Sequence, residues 1–88
     1  MTNILGAPNA TLISEVTAIY QGILPMEVNQ SSDFFSMGGN SFLAMKAVGQ
    51  LRRRFSCQLS LFDLLENSTP EQLSEVIAMK LNASLVES

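Results

Sequence analysis

The 88-residue sequence contains no histidine and no tryptophan, one tyrosine and a single cysteine, Cys57. Without histidine, neither a Ser-His-Asp nor a Cys-His arrangement can be assembled from this chain, so self-contained serine hydrolase chemistry lacks its base. The lone cysteine excludes an internal disulfide and any multi-cysteine zinc site, which fits a reducing compartment. No apolar run approaches the roughly 20 residues that a bilayer span needs, and no basic segment leads into an apolar stretch at the N-terminus. Positive charge is also scarce: five Lys and Arg against eight Asp and Glu give a net charge of −3. Nothing in that balance attracts nucleic acid. These absences predict a soluble, cytoplasmic protein with no nucleic acid or membrane among its partners and no metal site.

What remains suffices for one small domain. Hydrophobic residues make up 47% of the chain and charged residues 15%, far from the composition of a disordered segment. A domain of this length buries only roughly 60–65% of the surface its unfolded chain exposes, which leaves no core for a second domain. The expectation is one domain over residues 1–88, with a core at about 10–83 and flexible ends. There is no internal repeat, and the polar tail "NASLVES" is the only low-complexity hint.

Three main helices and one short one follow from periodicity and capping. In "ATLISEVTAIYQGIL", residues 10–24, Leu12, Val16, Ile19, Tyr20 and Ile23 share an arc about 100° wide. Asn9 or Thr11 can cap this helix, Glu15 lies toward its positive end, and Pro25 stops it. Residues 25–40, "PMEVNQSSDFFSMGGN", have no sustained period and read as a long loop, pinned to the core by Val28, Phe34, Phe35 and Met37. A second helix over residues 41–55 turns Ala44, Ala47, Val48, Leu51 and Phe55 inward, with Leu43 beside them. Phe42 points almost directly away from that stripe and Met45 sits on its flank, making a candidate docking surface.

Ser60 and Asp63 have capping-box spacing before a short helix over residues 61–66, with Asp in place of the usual Glu or Gln. Thr69, Pro70 and Gln72 are a fuller start signal: a cap, a proline at the first helical position and a glutamine three residues after the cap. A last helix over about 70–83 should bury Leu73, Val76, Ile77 and Leu81. The fold class is therefore all-α, a four-helix bundle with a long loop between helices 1 and 2.

The stretch "SMGGNSF", residues 36–42, carries the chemistry. Gly38 and Gly39 permit backbone dihedrals closed to other residues and leave the chain uncovered for a bulky group to approach. Asn40 suits an N-cap, which places Ser41 in the first helical turn, where free N–H groups and the helix dipole favour a phosphate. A P-loop does not fit, because the GxxxxGK-Ser/Thr spacing is absent and Lys46 stands too far along. Taken alone, the stretch reads more readily as a turn with a cap than as a site. Arg52, Arg53 and Arg54 spread over about 200° of the second helix and offset its dipole rather than form one patch. Cys57 reads as a small buried hydrophobe. Asp33 reads either as a turn or cap residue or as a contact for a modifying enzyme.

The segment "SSDFFSMGGNSFLAMKAVGQLRRRF" resembles the core motif of the peptidyl carrier proteins, or thiolation domains, of nonribosomal peptide synthetases. That motif combines an Asp-x-Phe element, a Gly-Gly pair, a His, Asp or Asn, and Ser-Leu; Asp33, Phe35, Gly38, Gly39 and Ser41 carry it here. "LSLFDLLENSTPEQLSEVI" is similar to the family's short third helix and the start of its fourth, so the resemblance covers about residues 10–82. Asn40 stands where His or Asp is commoner, and Phe42 where Leu is usual. Fatty acid synthase carriers usually read D-S-L before an acidic second helix, whereas this chain has GGNS and a basic one.

The resemblance implies a four-helix bundle whose Ser41 receives covalent 4'-phosphopantetheine from coenzyme A through a phosphopantetheinyl transferase. It implies cofactor-side roles for Gly38, Gly39 and Asn40, and docking roles for Met37, Phe42, Met45 and Lys46. The chain would be a monomeric, non-catalytic carrier of aminoacyl, aryl or peptidyl thioesters. Its partners would be adenylation, condensation and thioesterase domains or enzymes, and it would act either free-standing or as part of a synthetase. Polyketide and D-alanyl carriers are the neighbouring alternatives, against which the basic end of the second helix argues. A helical interaction module without a prosthetic group is the alternative from another class.

Overall fold

The computed structural model describes the backbone of residues 6–87 and the side chains of residues 10–82. The flexible ends expected beyond the core fall partly on residues 1–5 and 88, which lie outside the described residues. Four helices follow one another: α1 (Gly6–Ile23), α2 (Ser41–Phe55), α3 (Leu61–Glu66) and α4 (Pro70–Glu87). Among the described residues there is no strand. The all-α, four-helix expectation holds, with the long loop between α1 and α2.

α1 packs against α2 and α4, and the short α3 closes the bundle by touching α2 and α4. The core takes Leu12, Val16 and Tyr20 from α1, Ala44, Ala47, Val48 and Leu51 from α2, Leu64 from α3, and Leu73 and Ile77 from α4. Connecting segments add Leu24, Val28, Phe34 and Leu59. Each large apolar side chain buried in this way contributes about 1.5–3 kcal/mol of transfer free energy. Ile19, Ile23, Leu43, Phe55, Val76 and Leu81 are half-buried at its margin.

Local signals set most of the helix ends. Ser60 Oγ accepts the Asp63 N–H at 3.2 Å while Asp63 Oδ2 accepts the Ser60 N–H at 2.9 Å, so the Asp-containing capping box forms. Thr69 Oγ1 accepts the Gln72 N–H at 3.1 Å, and Gln72 Oε1 accepts the Thr69 N–H at 3.4 Å. α2 ends on Ser56 in the left-handed conformation, φ 53°, with its N–H donated to the Arg52 carbonyl at 2.8 Å. The three arginines occupy the last turn of α2, where they meet the dipole.

Two boundaries differ from the sequence expectation. α1 begins at Gly6, ahead of both Asn9 and Thr11, so neither caps it. Pro8 falls in the first turn, where a missing N–H breaks no helical bond. Glu15 is consequently a mid-helix residue, and its carboxylate pairs instead with Arg54 of α2. α4 runs to Glu87, past the expected end near 83, because the polar tail contains neither glycine nor proline to stop it.

Candidate functional site

The site is built at the N-terminus of α2 by the end of the long loop. Asn40 is extended, φ −150° and ψ −179°, and its Oδ1 accepts the Leu43 N–H at 2.9 Å while its carbonyl accepts the Ala44 N–H at 2.8 Å. Asn40 is thus the cap that its position in the sequence suggests. The amides of Ser41 and Phe42, the first two of the helix, have no place in the i→i−4 ladder. Ser41 is exposed, and the first turn of α2 has no acidic side chain to occupy the positive end of the dipole.

The two glycines do different work from the one their chemistry first suggests. Gly38 has φ +96°, in the region that disfavours side chains, and a Cβ there would lie 2.6 Å from Pro25 Cγ. Gly39 is seated on Phe34, where a Cβ would lie 2.4 Å from ring carbon Cδ2 and 2.6 Å from the Phe34 carbonyl oxygen. Their missing side chains therefore admit Pro25 and Phe34 from within the loop, rather than clearing a path for a group from outside.

Phe34 is fully buried, edge-on to Tyr20 at 4.9 Å between ring centres and to Phe35 at 5.3 Å. Its carbonyl accepts the Gly39 N–H at 3.1 Å, closing the loop over the ring. Asp33 holds the start of that turn: Oδ2 accepts the N–H groups of Phe35 and Ser36 at 3.0 Å each, and Oδ1 accepts the Ser68 hydroxyl. The Ser68 bond, against the opposing effect of burial, is the main reason the Asp33 carboxyl lies below its usual range. Of the two readings left open for Asp33, the turn-forming one is the role its bonds display.

Sequence reasoning missed Ser68 altogether. Its carbonyl accepts both the Tyr20 hydroxyl at 2.9 Å and the Phe34 N–H at 3.1 Å. Burial, with the Asp33 charge adding to it, raises the Tyr20 hydroxyl well above its ordinary titration range. A buried tyrosine needs a partner for its hydroxyl, which is the one available signal, but a partner 48 residues away leaves no trace in periodicity.

The docking candidates divide. Phe42 is 75% exposed and Met45 62% exposed, and Lys46 is exposed as well. Met37 is half-buried and packed against the core, so it belongs more to the loop's anchorage than to an open handle. Met45 also lines a groove of about 470 Å³ with Val48, Arg52, Leu59 and Leu61. Phe62 of α3, 71% exposed, is a surface aromatic that the sequence reading did not single out. Cys57 is half-buried rather than fully inside, and burial raises its thiol away from the reactive thiolate.

The sequence profile described as "Phosphopantetheine attachment site" matches residues 12–77. A linear gramicidin synthase of Brevibacillus parabrevis is 40% identical over 73 residues, a match covering 82% of this chain and 1% of that protein. Enterobactin synthase component F of Shigella flexneri is 35% identical over 72 residues, covering 81% and 6%. The chain thus spans only a small part of the length of these relatives. BlmI, a type-II acyl-carrier-protein from Streptomyces verticillus involved in bleomycin biosynthesis, shares the fold with a TM-score of 0.85 at 24% identity, over 92% of this chain and 99% of that one. A chain in the complex of the phosphopantetheine transferase Sfp with coenzyme A and a peptidyl carrier protein matches with a TM-score of 0.73 at 25% identity, over 77% and 90%. With the profile covering most of the bundle from α1 to α4, including the Asn40–Ser41 turn, this chain belongs to the phosphopantetheine attachment family of carrier domains.

Proposed function

We propose that the protein is a carrier of nonribosomal peptide synthesis, tethering aminoacyl, aryl or peptidyl groups as thioesters on 4'-phosphopantetheine attached to Ser41. The observation that carries this reading is the exposed Ser41 hydroxyl at the first position of an Asn40-capped helix. The residues present suit a phosphodiester: two amides outside the helical ladder, a favourable dipole and no carboxylate in the first turn. When bound, phosphopantetheine supplies a flexible arm ending in a thiol. The protein's own residues supply presentation: Gly38, Gly39 and Asn40 set where Ser41 emerges, and Phe42, Met45 and Lys46 offer a surface to grip.

Ser41 has no histidine in the chain to activate it, so its hydroxyl is a substrate for another enzyme's active site. The protein then acts as a non-catalytic, monomeric carrier visited by a phosphopantetheinyl transferase and by adenylation, condensation and thioesterase partners. No helix among the described residues is long and apolar enough to cross a membrane, and we place the carrier in the cytoplasm, where coenzyme A is available.

Incubation with coenzyme A and a broad-specificity transferase should add one phosphopantetheine by intact mass, and Ser41→Ala should abolish the addition with helical content unchanged. No addition to the folded wild-type protein by several such transferases would overturn the reading. Partner binding that survives Ser41→Ala, in a protein never modified, would point to the interaction module instead. Thioester loading by adenylation enzymes of the peptide, polyketide and D-alanyl classes identifies the branch.

A further inference from the structure

Ser68 lies between α3 and α4, and three bonds radiate from it, one to α1 and two to the loop that leads into Ser41. Its carbonyl holds the Tyr20 hydroxyl and the Phe34 N–H, at 2.9 and 3.1 Å, and its hydroxyl donates to Asp33 Oδ1. The segment so held is the floor of the site: the buried Phe34 ring and carbonyl seat Gly39, and Gly39 leads through the Asn40 cap into Ser41. We infer that Ser68 is a positioning residue for the modification of Ser41, setting the height and direction of the α2 N-terminus through Asp33 and Phe34. The inference rests on the assignment of Ser41 made above.

The connection between α1 and α2 runs from Leu24 to Asn40. Such a segment has many accessible arrangements unless it is tied at several points. The amide of Glu71 donates to the Gln30 carbonyl at 3.1 Å and so moors the middle of the loop to α4, but that bond lies well upstream of the glycines. Ser68 supplies the tie nearest to them, and its hydroxyl bond is charge-assisted, which makes it the stronger kind. A serine offered to another protein's active site must arrive in register, because a misplacement of about 1 Å can cost on the order of a hundredfold in rate. Ser68→Ala removes only the bond to Asp33 and leaves the two bonds to the main-chain carbonyl, whereas Ser68→Thr keeps a hydroxyl.

The test measures initial rates of phosphopantetheine transfer from coenzyme A, well below the melting temperature, for wild type, Ser68→Ala and Ser68→Thr, with ¹⁵N amide spectra of each. Ser68→Ala should load roughly tenfold more slowly in kcat/KM, with the Gly39 and Ser41 amide resonances displaced. Ser68→Thr should restore both the rate and the resonances. A folded Ser68→Ala that loads at the wild-type rate overturns the inference. So does a slow one whose Gly39 and Ser41 resonances have not moved, since the loss then arises elsewhere. Should Ser68→Ala fail to fold, Ser68→Cys carries the test: it keeps a side chain of similar size and replaces the hydroxyl donor to Asp33 Oδ1 by a weaker thiol one. Slower loading with displaced Gly39 and Ser41 resonances supports the inference, and an unchanged rate overturns it. A wild-type protein that takes no phosphopantetheine overturns the Ser41 assignment itself, and the inference with it. A modified wild type with an unaffected Ser68→Ala overturns the inference alone.

Discussion

Gly39 rests against the ring of Phe34 with no room for a side chain between them: a Cβ would stand 2.4 Å from Cδ2 and 2.5 Å from Cε2. Phe34 has nowhere to retreat, being buried edge-on to Tyr20, itself fully buried. Gly39→Ala is expected to destabilise the protein by about 1–3 kcal/mol through overpacking, measured by urea denaturation. Because the displaced backbone continues into Asn40 and Ser41, loading of the folded fraction should fall as well.

At the far end of α2 the strain has the opposite remedy. Ser56 closes the helix in the left-handed region at φ 53°, a conformation that glycine adopts without the Cβ penalty. Ser56→Gly should therefore raise stability by about 0.5 kcal/mol, part of the relief being lost to the greater freedom of glycine in the unfolded chain. A thermal melt checks the gain, and loading at Ser41 should be unchanged.

Acid should weaken the fold through two carboxylates. Asp33 is held below its ordinary value of 3.8, chiefly by the Ser68 hydroxyl, against burial, which pulls the other way. At Asp63 burial alone would raise the value, but the bonds from Ser60 and the charge of Lys80, 3.4 Å away, outweigh it and lower it. Folding thus favours the ionised forms. Their contribution is complete above the unfolded value and is lost as pH falls through the depressed folded values. Denaturation midpoints should be flat down to about pH 4.5 and decline below about pH 4, and Asp33→Asn should make that decline shallower.

Phe42 and Met45 separate function from stability. Both are largely exposed, so Phe42→Ser and Met45→Ser should change the unfolding free energy by no more than about 0.5 kcal/mol. If they are the handle that partners grip, transfer to Ser41 and later condensation should slow by about tenfold through KM, since one well-placed aromatic often dominates a contact. Steady-state kinetics with varied carrier concentration checks this. Unchanged KM values in both variants would move the docking surface elsewhere, with exposed Phe62 on α3 the next candidate.

Much of this architecture was legible along the chain because its determinants are local. The caps at Asn40, Ser60 and Thr69 act within three residues, and each closes as its spacing implies. The inward stripe of α2 is a matter of helical period, and Ala44, Ala47, Val48 and Leu51 are all buried. Where a local signal was ambiguous, the outcome went the other way: "GAPN" looks like a place to begin a helix after a break, yet proline and asparagine are tolerated in a first turn, and α1 starts before them.

By itself, then, the sequence determined four helices, their inward faces, the cap before Ser41 and the absence of any histidine to activate that serine. Only the tertiary structure decided what holds the loop in place. Tyr20, Asp33 and Phe34 meet Ser68 across separations of up to 48 residues, where chain closure rather than period selects the partners. The purpose of the glycines was decided there too. Conformational freedom at Gly38 and Gly39 can be read from their identity, but that Pro25 and Phe34 fill the space their side chains would occupy depends on segments that approach only when the bundle closes.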